Sequence, residues 1–237
     1  MQIANFYPFL KLDALSGFVA LFIGFFTLLT VIYSLDAMRQ SKHRLRYYVN
    51  ILLTAVSAVA VTLANHLLLL LLFWGFLGLT LFVLINTGEK EASAVAKKTF
   101  IIVGGSDALM IMGIGIIYYL TGTFQMDNIS LSFIGSRALI KTLAYLCLAI
   151  ACFAKAGAMP FHTWIPDCAE NAPTPVAAYL PAALDKLLGI YLLSRISLSL
   201  FVMNQAMNNF LMLIGAFTII AAVMMALVQH NFKRLLG

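Results

Sequence analysis

The amino-acid sequence predicts an all-α fold, a polytopic transmembrane bundle of about seven helices, and three observations support this prediction. Of the 237 residues, 62% are hydrophobic and only 10% are charged, whereas roughly a quarter of the residues in a soluble domain are charged. Apolar runs recur along the chain, each close to the ~20 residues that a helix needs to cross a bilayer. The basic residues gather in the short segments between these runs, as topology determinants do.

Seven apolar runs are long enough to span a membrane, and together they predict one membrane domain over residues 1–237. The predicted spans are residues 14–35, 47–64, 67–85, 99–120, 139–158, 176–198 and 209–228. Helices are expected, because backbone polar groups in lipid must find their hydrogen bonds within the protein. Only Asn65 and His66 separate the second span from the third, so these two spans are predicted to form a tight hairpin.

The distribution of basic residues predicts the orientation of the chain in the membrane. Nine basic residues fall on one side, namely Arg39, Lys42, Arg44, Arg46, Lys90, Lys97, Lys98, Lys233 and Arg234. Four fall on the other side, namely Lys11, Arg137, Lys141 and Arg195. Because cytoplasmic loops carry the excess of Lys and Arg, we expect a multi-pass protein of the cell inner (plasma) membrane. Its N-terminus would lie outside and its C-terminus in the cytoplasm.

Several classes of function are not indicated. The net charge is +6, but the basic residues form no face with interleaved aromatic residues, so nucleic acid is not an expected partner. Cys147, Cys152 and Cys168 show neither C-x-x-C spacing nor a neighbouring His pair, which argues against a metal site or a disulfide framework. No Walker loop, dinucleotide fingerprint or Ser/His/Asp set is present. The sequence therefore predicts no cofactor and no catalytic group, and the lipid bilayer is the first expected partner.

Four ionisable side chains lie in the interiors of predicted spans, namely Asp107, Lys155, Asp185 and Lys186. Each costs at least ~2.5–3.5 kcal/mol near the bilayer centre, and such residues usually mark an ion or proton pathway. The alternative is a set of inert buried ion pairs, although apolar residues would avoid that desolvation cost. The four residues are therefore candidate members of an ion pathway.

Two prolines accompany these charges and predict breaks in the helices. Pro160 lies five residues after Lys155, and Pro181 lies four residues before Asp185. Proline removes a backbone donor and frees a carbonyl, and broken membrane helices usually line a cavity or an ion path. His162 follows the first break and changes charge near neutral pH, so it is either a proton relay or a polar loop residue.

Two stretches around these residues carry a resemblance to a known family. Residues 155–167 read KAGAMPFHTWIPD, and residues 172–176 read APTPV. This pattern closely resembles the signature of the antiporter-like membrane subunits of respiratory complex I, multisubunit sodium/proton antiporters and energy-converting membrane hydrogenases. Residues 12–16, LDALS, and 230–236, HNFKRLL, are similar to two further segments of the family. The resemblance therefore extends from near residue 12 to the end of the chain.

The sequence departs from the family pattern in three ways. The family has a glutamate directly after the tryptophan of its fifth helix, paired with the lysine that matches Lys155; here Trp74 is followed by Gly75. Asp107 or Asp185 would then replace that partner. In the eighth helix, Pro181 stands where a histidine is usual, and the family lysine lies one position beyond Lys186.

The third departure is length. Family members have about fourteen helices built around two inverted five-helix repeats. The second to sixth predicted spans match the first repeat, and the seventh begins the second. We expect a split gene, a truncation or a fragment, with another membrane chain supplying the rest of the second repeat.

The resemblance implies an ion-translocating subunit of a redox-driven complex, without a redox centre of its own, that moves protons or sodium ions. It makes Lys155 the central carrier, Asp107 and Asp185 its modulators, Lys186 a connector and His162 a relay. Residues 180–191, LPAALDKLLGIY, favour the energy-converting hydrogenase subgroup. The alternatives are a complex I-type quinone oxidoreductase, a multisubunit sodium/proton antiporter, or a scaffold subunit that does not pump.

Overall fold

The computed structural model describes residues 4–7, 9–88 and 91–237, with the backbone alone for residues 4–7. In these residues seven helical spans are long and apolar enough to cross a membrane, which confirms the predicted helix bundle. The α-helices, in chain order, are α1 (Ala14–Ala37), α2 (Arg44–Leu63), α3 (Leu67–Ile85), α4 (Ala92–Thr121), α5 (Ala138–Ala156), α6 (Trp164–Asn171), α7 (Thr174–Tyr179), α8 (Asp185–Arg195), α9 (Gln205–Leu227) and α10 (Phe232–Leu236).

The fifth span is broken where the sequence predicts a break. It covers Ala138–Asn171, but α5 ends at Ala156 and α6 begins only at Trp164. A short 3-10 helix, Phe161–Thr163, lies between them. Pro160 has no N–H to continue the helical hydrogen bonds, so the chain turns there and restarts.

The prediction of a second helix break at Pro181 is wrong, because the structure has a continuous span with a π-helical turn there. The sixth span runs without a gap through Thr174–Leu200, and a π-helical turn, Leu180–Leu184, joins α7 to α8. The wider π turn accommodates the proline ring, which would clash with a carbonyl of the preceding α-helical turn. A second π turn, Ile196–Leu200, ends the span.

The bounds of α4 differ most from the prediction. The helix begins at Ala92, seven residues before the predicted start, so Lys97 and Lys98 lie in its first turns. Long basic side chains reach the membrane surface from inside a helix, and a count of loop charges cannot detect this. Lys90, another residue used to predict the orientation, lies outside the described residues.

The bundle packs around α5. The helix has extensive contacts with α4 and α8, while α3 packs on α2 and α4, and α1 packs on α2 and α7. By contrast, α9 has no buried residue among those described. Its long apolar surface is available to lipid or to another membrane segment.

Short strands and turns form a layer at one end of the bundle. Strand β1 (Ala4–Tyr7) pairs antiparallel with β2 (Leu10–Leu12), and β3 (Leu131–Ser132) pairs parallel with β4 (Phe201–Val202). The turn between α2 and α3 joins this layer, since the Asn65 N–H donates to the carbonyl of Phe9 at 2.8 Å. These connections fix the end of the bundle opposite the turn between α1 and α2.

Candidate functional site

Lys155 owes its position to the way in which α5 ends. It is the penultimate residue of α5, near the middle of the 34-residue broken span. Gly157 follows with φ of 77°, and a Cβ there would lie 1.9 Å from the side chain of Ile165. The position therefore requires glycine. The N–H groups of Gly157 and Ala158 both donate to the carbonyl of Phe153, which completes the helix end.

The side chain of Trp164 joins the two halves of the broken span. Its indole Nε1 donates a hydrogen bond of 3.0 Å to the carbonyl of Ala154, and the residue is fully buried. The last carbonyls of a helix have no partner within the helix, so the indole satisfies one of them. The start of α6 is thereby attached to the end of α5, beside Lys155.

Lys155 forms an ion pair with Asp185 inside the bundle. The Lys155 Nζ lies 3.6 Å from Asp185 Oδ1, and the two residues are 0% and 1% exposed. Neither Lys155 Nζ nor Asp185 Oδ2 has a hydrogen-bond partner in the described part of the chain. Each group therefore keeps free donor or acceptor capacity, which proton transfer requires. Taking such a pair out of water costs several kcal/mol per ion.

A close approach of two helices brings Asp185 to Lys155. Gly189, one turn after Asp185, faces the end of α5, and a Cβ there would lie 2.7 Å from the N of Ala156 and 2.8 Å from the O of Cys152. Only a residue without a side chain allows backbones to approach so closely. Asp185 thus reaches Lys155 because α8 touches α5 at Gly189.

Trp74 and Asp107 also lie close to Lys155. The ammonium lies over the indole ring of Trp74, 4.7 Å from its centroid. The Trp74 Nε1 donates a hydrogen bond of 2.8 Å to Asp107 Oδ1, and Asp107 also interacts electrostatically with Lys155. Asp107 lies beside Gly78 of α3, where a Cβ would be 3.7 Å from its Oδ2. Four helices, α3, α4, α5 and α8, contribute to this cluster.

The two other predicted pathway residues lie apart from this cluster. Lys186 is half-buried on a different face of α8 from Asp185, and no ion pair or hydrogen bond of it is seen among the described residues. His162 lies in the 3-10 helix after the break, half-buried, with Nδ1 lacking a hydrogen-bond partner there. The charged side chain that interacts electrostatically with His162 is that of Lys98. The structure therefore brings Asp107, Lys155 and Asp185 together, but not Lys186 or His162.

An ion pair that the sequence did not predict lies at one end of the bundle. Arg195, which entered the sequence analysis only as a basic residue on one side of the membrane, donates two hydrogen bonds to Asp13, of 2.6 and 3.1 Å. Asp13 also accepts a hydrogen bond from the N–H of Ser16 and caps the N-terminus of α1. Burial disfavours the carboxylate, but hydrogen bonds from Arg195 and Ser16 outweigh it and hold the pKa of Asp13 well below its usual range. Complementary charges 182 residues apart in sequence leave no local signal.

A second charged cluster ties α6 to its neighbours at the opposite end. Asp167 pairs with Lys98 of α4 at 2.6 Å and with Arg234 of α10 at 2.5 Å. The hydrogen bond that Arg234 donates to Asp167 raises the pKa of Arg234. Asn231, which begins α10, donates to Glu170. These contacts hold the second half of the broken span, and with it the region of His162.

Comparisons with known proteins agree with this geometry. Residues 64–237 match the family described as NADH:quinone oxidoreductase/Mrp antiporter, TM. The chloroplastic NAD(P)H-quinone oxidoreductase subunit 5 of Saccharum officinarum is 29% identical over 233 residues, which cover 95% of this chain and 31% of the relative. The same subunit of Zea mays gives the same identity and coverage. This chain therefore spans about a third of the length of the curated relatives it matches.

Solved structures of membrane complexes contain the same fold. A chain of respiratory complex I from Thermus thermophilus superposes with a TM-score of 0.82 at 25% identity, over 98% of this chain and 49% of that one. A chain of the Mrp complex from Dietzia sp. DQ12-45-1b gives 0.86 at 26% identity, over 95% and 25%. A chain of an archaeal membrane-bound sulfane sulfur reductase gives 0.84 at 22% identity, over 95% and 47%, which supports the fold alone.

These findings confirm the predicted resemblance to antiporter-like subunits. They do not support the hydrogenase subgroup predicted from residues 180–191, since the relatives named above are quinone oxidoreductase subunits. On the family match, which covers most of its length, this chain belongs to the NADH:quinone oxidoreductase/Mrp antiporter transmembrane family.

Proposed function

We propose that this chain is an ion-translocating, antiporter-like subunit of a complex I-type, redox-driven membrane complex. The observation that carries the proposal is the fully buried pair of Lys155 and Asp185 beside a broken helix. Such a pair is expensive to bury, and ionisable groups at this depth mark ion pathways. The likeness to quinone oxidoreductase subunits favours a redox-driven complex over an independent transporter.

In this proposal Lys155 carries the proton and two carboxylates control it. Asp185 forms an ion pair with the ammonium directly, while Asp107 acts through the indole of Trp74. When Asp185 takes up a proton, Lys155 loses its counter-ion and releases its own proton to another acceptor. Lys186 and His162 would connect this centre to neighbouring segments. Protons and sodium ions are both candidate cargoes, because both are cations and the same buried charges can attract either one.

The proposal extends to the surroundings of the chain. Other membrane subunits would assemble with it, and one of them, or a further segment, would supply the rest of the second repeat against the exposed face of α9. We also propose the plasma membrane, with the N-terminus outside, on the basis of the basic residues. The relatives in plants are chloroplastic, so the membrane of residence differs among relatives.

A scaffold subunit that does not pump is the second candidate. It is favoured by Gly75, which stands where the family places the glutamate partner of the lysine. The close packing of Asp107 on Trp74 argues against it, since a carboxylate is retained near Lys155 from a neighbouring helix. The two candidates differ in what the Lys155 side chain does in an assembled complex.

The test uses the complex isolated through a tag on this chain, with its subunits identified by mass spectrometry. In proteoliposomes, Lys155→Ala is expected to abolish ion uptake, measured with a pH dye with and without sodium, while subunit stoichiometry stays normal. Lys155→Arg should fail too, because guanidinium remains protonated. Lys141→Ala is the matched control, since this lysine near the start of the same helix has, among the described residues, a single side-chain hydrogen bond, to the Ile134 carbonyl. Normal uptake by a fully assembled Lys155→Ala complex would establish the scaffold instead.

A further inference from the structure

Buried hydroxyl groups line the contact between α1, α2 and α7. Along α1, Thr27 and Ser34 are two turns apart and share the inward face. Tyr47 of α2 and Tyr179 of α7 are both 0% exposed. The hydroxyls of Thr27 and Tyr179 lie 2.7 Å apart. Sequence analysis did not select these residues, because isolated hydroxyls within apolar runs look like ordinary packing residues.

Packing alone accounts for some of these hydroxyls but not for all of them. Thr27 and Ser34 donate to carbonyls of their own helix, at 2.6 and 2.8 Å, as such residues commonly do in helices. The phenol of Tyr47 is different: it is buried and interacts with the Ser34 side chain, but it forms no hydrogen bond of good geometry in the described residues. An unpaired buried hydroxyl costs about 1–3 kcal/mol. A phenylalanine would avoid this cost, so the hydroxyl at this position calls for a function.

Asp185 follows Tyr179 along the sixth span after a single π-helical turn, Leu180–Leu184. Tyr179 interacts electrostatically with both Asp185 and Tyr47. Asp185 Oδ2 is buried without a hydrogen-bond partner among the described residues. An acceptor with free capacity is therefore buried just beyond the π turn that follows Tyr179.

The outer end of the row meets a large open cavity. This cavity, of about 920 Å³, is lined by Met38 and Ser41 after α1 and by Pro173 and Thr174 at the start of α7. The Met38 N–H donates to the carbonyl of Ser34 at 2.9 Å, so Ser34 lies one turn from the cavity wall. Polar cavities of this size admit water. Water in the cavity can therefore come within one helical turn of Ser34, whose side chain is itself buried.

We propose that Ser34, Tyr47 and Tyr179 form a proton route from this cavity to Asp185, with Thr27 fixing the Tyr179 hydroxyl. The proposal rests on the function proposed above and adds the path by which the Lys155–Asp185 pair receives its proton. At each step an oxygen accepts the incoming proton and gives up the one it held, so one O–H bond forms as another breaks. Bridging water closes the gaps between hydroxyls.

The experiment removes single hydroxyls while keeping the rings in place. Tyr47→Phe and Tyr179→Phe are expected to lower the Lys155-dependent part of proton uptake about tenfold or more, because each removes one proton-transfer group. Uptake is followed in H2O and in D2O, per assembled complex, and the slower variants should show an increased isotope effect. Tyr145→Phe is the matched control, since the hydroxyl of this buried tyrosine of α5 has Ser197, at 3.0 Å, as its one hydrogen-bond partner among the described residues.

A second pair of variants protects the test against loss of assembly. Thr27→Val removes the hydroxyl but keeps a side chain of similar volume, and it should slow proton uptake. Thr27→Ser keeps the hydroxyl and should retain the uptake rate of wild type. If Lys155→Ala stops uptake but the Tyr47 and Tyr179 variants match Tyr145→Phe, the route is wrong and the proposed function stands. If Lys155→Ala itself pumps normally, both the function and the route fall.

Discussion

Trp74 contacts a cation with the face of its indole ring and a carboxylate with the N–H of that ring. Its ring lies under Lys155, and its Nε1 donates to Asp107. A desolvated cation–π contact is worth about 2 kcal/mol or more, so the ring offsets part of the cost of burying the ammonium while Lys155 holds its proton. The indole therefore connects two groups that do not touch each other.

The sequence selected the charged residues of the site but not their pairing. Charges are rare in apolar spans, so Asp107, Lys155 and Asp185 can be identified from the sequence without a structure. Which carboxylate meets Lys155 depends on the packing of α8 on α5 through Gly189, and no local pattern records that contact. The hydroxyls of Tyr47 and Tyr179 escaped detection for a related reason, since their role depends on neighbours from other helices.

At the residue scale, the Asp13–Arg195 pair predicts a specific pH dependence of stability. Asp13→Asn should lower the melting temperature of the complex by several degrees at neutral pH, because it removes a charged acceptor worth about 1.5–3 kcal/mol. The pKa of Asp13 in the folded protein lies well below its ordinary value near 3.8. Its stabilisation is therefore complete above that ordinary value and is lost as the pH falls through the lower, folded value.

Differential scanning fluorimetry from pH 8 to pH 3 measures this difference between wild type and variant. We expect a constant deficit down to about pH 4, which narrows only at lower pH. A deficit that already narrows between pH 7 and pH 5 would contradict the pairing. Asp36→Asn, at the far end of α1, serves as the control because Asp36 is exposed and forms no ion pair among the described residues.

At the scale of elements, the site depends on how closely α8 approaches α5. Pro160 and the glycines around it predict the end of α5, since proline and positive φ act locally. The π turn at Pro181 was not predicted, because the choice between a break and a wider turn depends on the helices packed around it. The strands β3 and β4 were also missed, as two-residue strands carry no periodic signal.

Gly189→Ala is predicted to damage the site through this contact. The added methyl group would meet backbone atoms of Ala156 and Cys152, which cannot rotate away. Overpacking of this kind costs about 1–3 kcal/mol, and it would move Asp185 away from Lys155. We expect a lower melting temperature together with a loss of ion uptake.

Gly75→Ala provides the control for this experiment. Gly75 also lies within a helix of the bundle, but a Cβ there has no neighbour within 4 Å. Because alanine favours helix over glycine by roughly 1 kcal/mol, this variant should keep its uptake and be at least as stable as wild type. Normal uptake in an assembled Gly189→Ala complex would show that the site tolerates a wider gap.

At the scale of the whole molecule, composition and apolar run length were enough to predict seven spans. They could not predict what surrounds the bundle, because lipid and neighbouring subunits favour the same apolar residues. The face of α9 shows this ambiguity: it has no buried residue in the described structure. The orientation in the membrane is likewise a prediction from charges alone.

Labelling of single cysteines tests that orientation. The native cysteines Cys147, Cys152 and Cys168 are buried, so an impermeant maleimide should not reach them. Gln40 follows α1, and Ser136 precedes α5 at the opposite end of the bundle, and both are exposed. In right-side-out vesicles, Ser136→Cys should react and Gln40→Cys should react only after permeabilisation. The reverse pattern would invert the predicted topology.

The break after Lys155 also has an electrostatic consequence. The aligned peptide dipoles of a helix place about half a negative charge at its C-terminus, and α5 ends one residue beyond Lys155. An unbroken helix would have carried that pole to the membrane surface. Here the backbone itself provides a negative neighbour for the ammonium that no proton can neutralise. The helix end therefore makes a constant contribution to the stability of the ammonium, and protonation of Asp185 removes only the variable contribution that decides when Lys155 releases its proton.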